Sequence, residues 1–328
     1  MVDHGGNLDQ AIRQFGGRYE DWLDLSTGIN PVPYPIPNIS SRAWTALPTT
    51  SEKSLLHSAV KQSWHCSGDV LSLTGAQAAI QLLPQFAEQK GLSNRKVTIL
   101  GPTYNEYANS FKQQGWQFEE SQIFEKLAGS TVAILVNPNN PDGKTYGEDA
   151  LLDLLETVDL LIIDESFVDS MPELSLCSQS HRDNLIILRS FGKFYGLAGL
   201  RLGFVIGSAE NIHIFEKLAG PWPVSGVALA IGAKAIRDHK WSEVTRNRLQ
   251  KETQRLDQHF LSARCALVGG TPLFRLYSHE EALDLQIHLA KDRIWSRIFP
   301  YSENWIRLGL PGTEKDWSRL EKSLASYV

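Results

Sequence analysis

Cysteine is scarce in this chain: Cys66, Cys177 and Cys265 are the only three in 328 residues. Their number is odd and their spacing fits neither a disulfide framework nor a metal knuckle, so free thiols in a reducing compartment are expected. His65 and Cys66 are adjacent, but no second ligand pair lies near them, and no metal site is expected. Long apolar runs are missing too. No stretch approaches the roughly 18 residues a membrane helix needs. The start, Met1-Val2-Asp3-His4-Gly5-Gly6-Asn7, has no basic region followed by an apolar one, so no secretory signal is expected. Nor is there a basic excess. With 32 Lys and Arg against 37 Asp and Glu, the net charge is -5 and the pI about 6.0, which argues against nucleic acid. Internal repeats and low-complexity tracts are also lacking. The expectation is a cytoplasmic globular chain with no membrane, metal or nucleic-acid partner.

What is present points to an enzyme of ordinary composition, 42% hydrophobic and 21% charged. The length suffices for one large domain and a smaller one. Apolar spacing predicts helices over 51–65 and 78–88, with Pro84 kinking or breaking the second. Short apolar runs predict strands at 70–73, 97–100, 132–136, 160–163, 185–188 and 204–206. Such alternation argues a mostly parallel sheet with helices on both faces. Prolines at 31, 33, 35 and 37 rule out helix there and suggest an extended crossing. A long helical tract is expected over 225–262, its charges forming a solvated face, and then a strand–helix–strand end over 271–277, 280–290 and 305–310. The expected divisions are an arm at 1–37, a large domain at 38–220 and a small one at 221–328.

The most informative stretch runs from Arg189 to Gly203. Lys193 sits there among small and apolar residues, with Ser190 three positions before it and Arg201 eight after. A desolvated lysine loses its proton readily and becomes a nucleophile able to form a Schiff base with a carbonyl. Ser190 and Arg201 add a hydroxyl and a guanidinium fork, a pair suited to a phosphate. An aldehyde that also carries a phosphate is pyridoxal 5'-phosphate (PLP). Ser-x-x-Lys followed by Arg-x-Gly resembles the PLP-lysine signature of the fold-type I, class I/II aminotransferase-like enzymes.

Other segments fit the same resemblance, in family order. Thr74-Gly75-Ala76-Gln77 joins a strand to a helix N-terminus, where free N–H groups favour a phosphate, and the resemblance assigns Gly75, Ala76 and Gln77 to the cofactor phosphate. Tyr104 follows a strand's carboxyl end and would stack on the pyridine ring. Asn137-Pro138-Asn139-Asn140-Pro141-Asp142-Gly143 matches the family's Asn-Pro-x-Asn-Pro-x-Gly loop, with Asn140 donating to the cofactor's 3-oxygen and Asp142 standing where threonine is usual. Asp164 ends an apolar strand, and matches the carboxylate that keeps the ring nitrogen protonated. Phe167 replaces a tyrosine that many aminotransferases direct at the 3-oxygen. Leu47-Pro48 stands where related enzymes often carry Tyr-Pro, so this position lacks a tyrosine to reach a partner subunit's cofactor phosphate.

The ends of the chain narrow the resemblance. His4-Gly5-Gly6-Asn7 and Asp24-Leu25-Ser26-Thr27-Gly28-Ile29-Asn30-Pro31 look like the N-terminal arm of the threonine-phosphate decarboxylases of cobalamin biosynthesis. The resemblance implies substrate-side roles for His4 and Asn30. Arginine recognises carboxylate and phosphate through paired hydrogen bonds. Arg307 matches the arginine that clamps the substrate carboxylate, and Arg297 one that meets its phosphate; Arg275 is a third possibility. The implied reaction is decarboxylation of O-phospho-L-threonine to (R)-1-aminopropan-2-yl phosphate by a homodimer. The alternatives are a histidinol-phosphate-type aminotransferase and, more remotely, a PLP-binding protein without turnover.

Overall fold

The computed structural model describes residues 5–92 and 94–327. Thirteen strands occur among the described residues: β1 (Leu23–Asp24), β2 (Asp69–Leu73), β3 (Lys96–Leu100), β4 (Gln117–Ser121), β5 (Val132–Val136), β6 (Leu161–Asp164), β7 (Leu185–Ser190), β8 (Gly203–Gly207), β9 (Ala266–Thr271), β10 (Phe274–Ser278), β11 (Ile294–Trp295), β12 (Arg297–Phe299) and β13 (Ser302–Leu308). They fall in two compact units. One comprises residues 34–140 and 145–242, the other 1–33, 141–144 and 243–328. These outlines run differently from the three segments expected: 221–242 groups with the larger unit, and the expected arm is divided at residue 33, its last four residues grouping with the larger unit.

The larger unit is built on a seven-stranded sheet in the order β2-β8-β7-β6-β5-β3-β4. Strands β3 to β7 pair in parallel, and only β8 runs antiparallel to its neighbours β7 and β2. The central strands read Val-Ala-Ile-Leu-Val, Leu-Ile-Ile-Asp and Leu-Ile-Ile-Leu, with every residue of these runs buried. Continuous apolar runs of this kind belong to strands covered on both faces. On one face the helices Ala76–Gln89 and Ala209–Ala219 meet through Phe86 and Phe215, stacked at 4.3 Å. This is the mostly parallel α/β sheet expected from the sequence.

Pro84 does not break its helix, which runs unbroken from Ala76 to Gln89. Proline leaves the carbonyl four residues earlier without its helical donor. Here that carbonyl belongs to Ile80, and the Ser110 hydroxyl donates to it at 2.9 Å. The long tract after Ser225 is two helices, Gly226–Arg237 and His239–Ser262. Asp238 separates them, its carboxylate accepting from the Trp241 N–H at 3.0 Å.

The smaller unit carries a four-stranded antiparallel sheet, β12-β13-β10-β9, and the short parallel pair β1–β11. The expected single strand at 271–277 is instead a hairpin corner, because β9 ends at Thr271 and β10 begins at Phe274. Helix Ala282–Lys291 lies between β10 and β11 in sequence. Among the described residues no helix is long and apolar enough to cross a membrane.

Candidate active site

The carboxyl ends of β5, β6 and β7 lead into Asn140, Asp164 and Lys193, the edge where an open α/β sheet binds its ligands. Asp164, the last residue of β6, is 4% exposed. Its Oδ2 accepts the Tyr107 hydroxyl at 2.6 Å, and its Oδ1 accepts the Ser166 N–H at 2.8 Å. Burial pushes its pKa up, against the pull of those donors and of the positive charge on Lys193. β7 ends at Ser190, which opens the short helix Phe191–Phe194 carrying Lys193. Lys193 is half-buried, its Nζ 5.6 Å from the centre of the Phe167 ring.

Behind these strand ends lies a buried charge cluster. Arg189, which precedes Ser190, donates to Glu165 at 3.0 Å and to Asp169 at 2.5 Å. Ser175 and the Leu176 N–H also donate to Glu165, each at 2.7 Å. The residues following Asp164 and preceding Ser190 are therefore tied across neighbouring strands.

The antiparallel pairing of β2 with β8 sets Leu73 opposite Gly203. It thereby brings the turn before helix Ala76–Gln89 beside the segment carrying Arg201. Gly75 has φ +78°, and a side-chain carbon there would come within 2.8 Å of the Arg201 guanidinium. A Cβ on Gly203 would in turn strike the Gly75–Ala76 backbone. Both glycines permit a close approach that a larger residue would block. Gln77 is locked between two groups, accepting the Tyr104 hydroxyl at 3.1 Å and donating to Glu106 at 2.9 Å. Burial is the main cause that raises the Tyr104 phenol to about 12. The Asn137–Gly143 loop is latched by Asn137, which donates to the Tyr146 carbonyl and accepts the Tyr146 N–H, both at 3.0 Å. Asn139 accepts from Thr103 at 2.7 Å and donates to the Pro102 carbonyl at 3.1 Å, holding half-buried Asn140 near the segment that bears Tyr104.

In the smaller unit, Arg297 and Arg307 are direct cross-strand partners on β12 and β13. Arg307 is buried, donates to the Ser26 carbonyl at 2.8 Å and lies over Phe274 and Phe299. Burial first, and the like charge of Arg297 second, push its pKa down to about 10. Buried Arg307 with half-buried Arg297 beside it forms a place where an anion is stabilised. Asn30 is also buried, its Oδ1 accepting from the Val32 N–H at 3.1 Å and from Arg248 at 2.5 Å. Arg275 serves elsewhere: it pairs with Asp257 at 2.9 and 2.7 Å, and Tyr277 donates to the same carboxylate. His4 lies outside the described residues. The sequence reading missed Tyr107 and Ser166 as partners of Asp164, and Arg248 as the partner of Asn30. Each contact joins a pair through the fold or a local turn, and no motif marked it.

The description "Aminotransferase class I and II" belongs to the family that matches residues 40–324. The chain belongs to this aminotransferase class I and II family. Among similar family members, a threonine-phosphate decarboxylase from Sinorhizobium sp is 40% identical over 331 residues, covering 99% of this chain and 98% of the relative. Another, from Pseudomonas aeruginosa, is 36% identical over 334 residues, covering 100% and 98%. These two relatives bear out the resemblance read from the motifs and the N-terminal arm. The fold is shared with a solved histidinol-phosphate aminotransferase from Sinorhizobium meliloti in complex with pyridoxal-5'-phosphate. That match has TM-score 0.84 at 17% identity and covers 100% of this chain and 96% of the other.

For a member of this family, the larger unit supplies a donor set that fits PLP. It combines an amine, a buried carboxylate, a phenol ring, and a glycine-opened helix start beside a guanidinium. An aldehyde, a ring nitrogen, a flat ring and a phosphate call for those four kinds of group.

Proposed function

We propose that this chain decarboxylates O-phospho-L-threonine, with PLP as cofactor, to (R)-1-aminopropan-2-yl phosphate and carbon dioxide, a step of cobalamin biosynthesis. One observation carries the reading. The family match begins at residue 40, whereas likeness to the two decarboxylases extends over essentially the whole chain, including the arm before it. The substrate class is a small phosphorylated amino acid.

When bound, PLP supplies an aldehyde for an amine and a protonated ring that draws electrons from the bond broken at Cα. In this reading Lys193 is the amine that holds the cofactor, and its Nζ carries the proton delivered to Cα. Asp164 keeps the proton on the ring nitrogen. Gly75, Ala76, Gln77, Ser190 and Arg201 hold the cofactor phosphate, Tyr104 covers the ring, and Asn140 donates to its 3-oxygen. Phe167 adds no hydroxyl at that oxygen.

Arg307 grips the substrate carboxylate, and Arg297, with Asn30 and His4, takes the substrate phosphate. Gripping the substrate at both its carboxylate and its phosphate would select the Cα–carboxylate bond as the one that breaks. A carboxylate held this way leaves as carbon dioxide, and the amine stays on the product. The enzyme is proposed to act as a homodimer in the cytoplasm, the site class its free thiols suit.

The test is carbon dioxide release from O-phospho-L-threonine with and without 2-oxoglutarate. Release independent of the keto acid, with aminopropanol phosphate as product, supports the decarboxylase. Glutamate formed from histidinol phosphate and 2-oxoglutarate, with no such release, would make it an aminotransferase. Light scattering that shows only monomer would contradict the dimer.

A further inference from the structure

Asp164 is held by more than its own strand. Tyr107, in the helix Glu106–Gln113, is fully buried and donates to Asp164 Oδ2 at 2.6 Å, while the Ser166 N–H occupies Oδ1 at 2.8 Å. Phe111 fills the same core from one turn further along this helix, so packing alone does not call for a hydroxyl at 107. Burial and the Asp164 charge raise the Tyr107 phenol well above its ordinary value, so it stays a donor. Among the described residues, Lys193 faces Asp164 as a charge, Tyr107 and Ser166 donate hydrogen bonds to it, and the Tyr104 phenol also feels its charge.

We propose that Tyr107 is a positioning residue for the reaction: its hydroxyl holds Asp164 as an anion, so that the cofactor's ring nitrogen rather than the carboxylate keeps the shared proton. This rests on the reading that the chain binds PLP with Asp164 at the ring nitrogen. Burial and hydrogen bonding oppose each other at this carboxylate. A donor to a carboxylate lowers its basicity, whereas burial raises it. Without the phenol, burial prevails and the proton moves toward Asp164. A ring nitrogen that has lost its proton draws electrons less strongly, and the bond at Cα breaks more slowly.

The experiment uses holoenzyme reconstituted with PLP labelled with nitrogen-15 at the ring nitrogen. Its NMR shift is compared in the wild type, Tyr107→Phe and Asp164→Asn, alongside steady-state kinetics. The inference expects a protonated ring in the wild type and a move toward the unprotonated shift in Asp164→Asn. Tyr107→Phe should move the same way by less, its kcat falling about tenfold or more with little change in KM, the scale of one hydrogen bond to a charged group. If Asp164→Asn moves the shift while Tyr107→Phe leaves both shift and kcat at wild-type values, the inference is overturned and the cofactor reading stands. If Asp164→Asn leaves the shift unmoved, the cofactor reading falls and the inference with it. Should Tyr107→Phe fail to fold, 3-fluorotyrosine placed at position 107 gives a stronger donor of nearly the same shape. It should raise the pH at which the ring-nitrogen shift moves to the unprotonated value, and an unchanged pH would overturn the inference.

Discussion

Replacing Arg189 with methionine tests how the strand ends beneath the site are held. The guanidinium is 2% exposed, bonds Glu165 at 3.0 Å and Asp169 at 2.5 Å, and lies 4.0 Å from the centre of the Trp64 ring. Methionine keeps much of the apolar stem but removes a cation that bonds both of these buried carboxylates. Breaking a buried ion pair by removing one partner costs about 3–5 kcal/mol. Taking about 200 residues of the larger unit as unfolding together, an unfolding entropy of about 2.1 cal/mol/K per residue makes this a fall in Tm of about 7–12 °C. The effect depends on pH with a definite sign. Burial already raises the pKa of Glu165 in the native chain, and Arg189 opposes that rise. Without Arg189 the folded-state value climbs further above the unfolded value of about 4.3. A carboxyl with a raised folded pKa keeps a proton that the unfolded chain has released. Stability therefore falls as pH rises from the unfolded toward the folded value, and the variant's deficit should be small at pH 5 and full at pH 8. Calorimetric scans across that range read the difference directly. A Tm within about 2 °C of wild type at pH 8, or a deficit that grows as pH falls, would refute the reasoning. Adding Glu165→Gln and Asp169→Asn to Arg189→Met should restore most of the loss, since no buried charge is then left alone.

The other predictions concern ligands. Lys193→Ala should abolish both the absorbance of the bound cofactor and turnover; a variant that kept both would end the assignment of this lysine. Arg307→Lys loses the paired hydrogen bonds of a guanidinium, and KM for O-phospho-L-threonine should rise about tenfold or more while the cofactor spectrum holds. An unchanged KM would show that the substrate carboxylate sits elsewhere. Gly75→Ala places a carbon 2.8 Å from the Arg201 guanidinium at a φ of +78°. A side chain in this essentially glycine-only backbone conformation, φ +78° with ψ 164°, costs roughly 1–3 kcal/mol. Titration of the apoprotein should find weaker PLP binding, and an unaltered affinity would separate Arg201 from the cofactor phosphate.

Much of this molecule could be read from residues in a row. β5, β6 and β7 are written as unbroken apolar runs because both of their faces are covered, and Asp164 stands out as a charge at the end of one of them. Lys193 and its flanking Ser190 and Arg201 share a single short segment, so their association needed no knowledge of the fold. β4 was hidden for the opposite reason: Gln-Phe-Glu-Glu-Ser is a mostly exposed edge strand with no apolar pattern. The β9–β10 hairpin was hidden because Thr271-Pro272-Leu273-Phe274 continues an apolar tract through its own turn. Tyr107 reaches Asp164 across 57 residues, and Arg248 reaches Asn30 across 218, so neither partnership leaves a local signal. Pro84 reads as a helix breaker until the fold delivers Ser110 to the carbonyl it orphans.

Which bond at Cα breaks is tested most directly with O-phospho-L-threonine deuterated at Cα. Incubated with the holoenzyme in ordinary water without a keto acid, it should give 1-aminopropan-2-yl phosphate that keeps the deuterium, with one equivalent of carbon dioxide released. Loss of the deuterium to solvent without carbon dioxide, together with amino transfer once 2-oxoglutarate is added, would contradict the account.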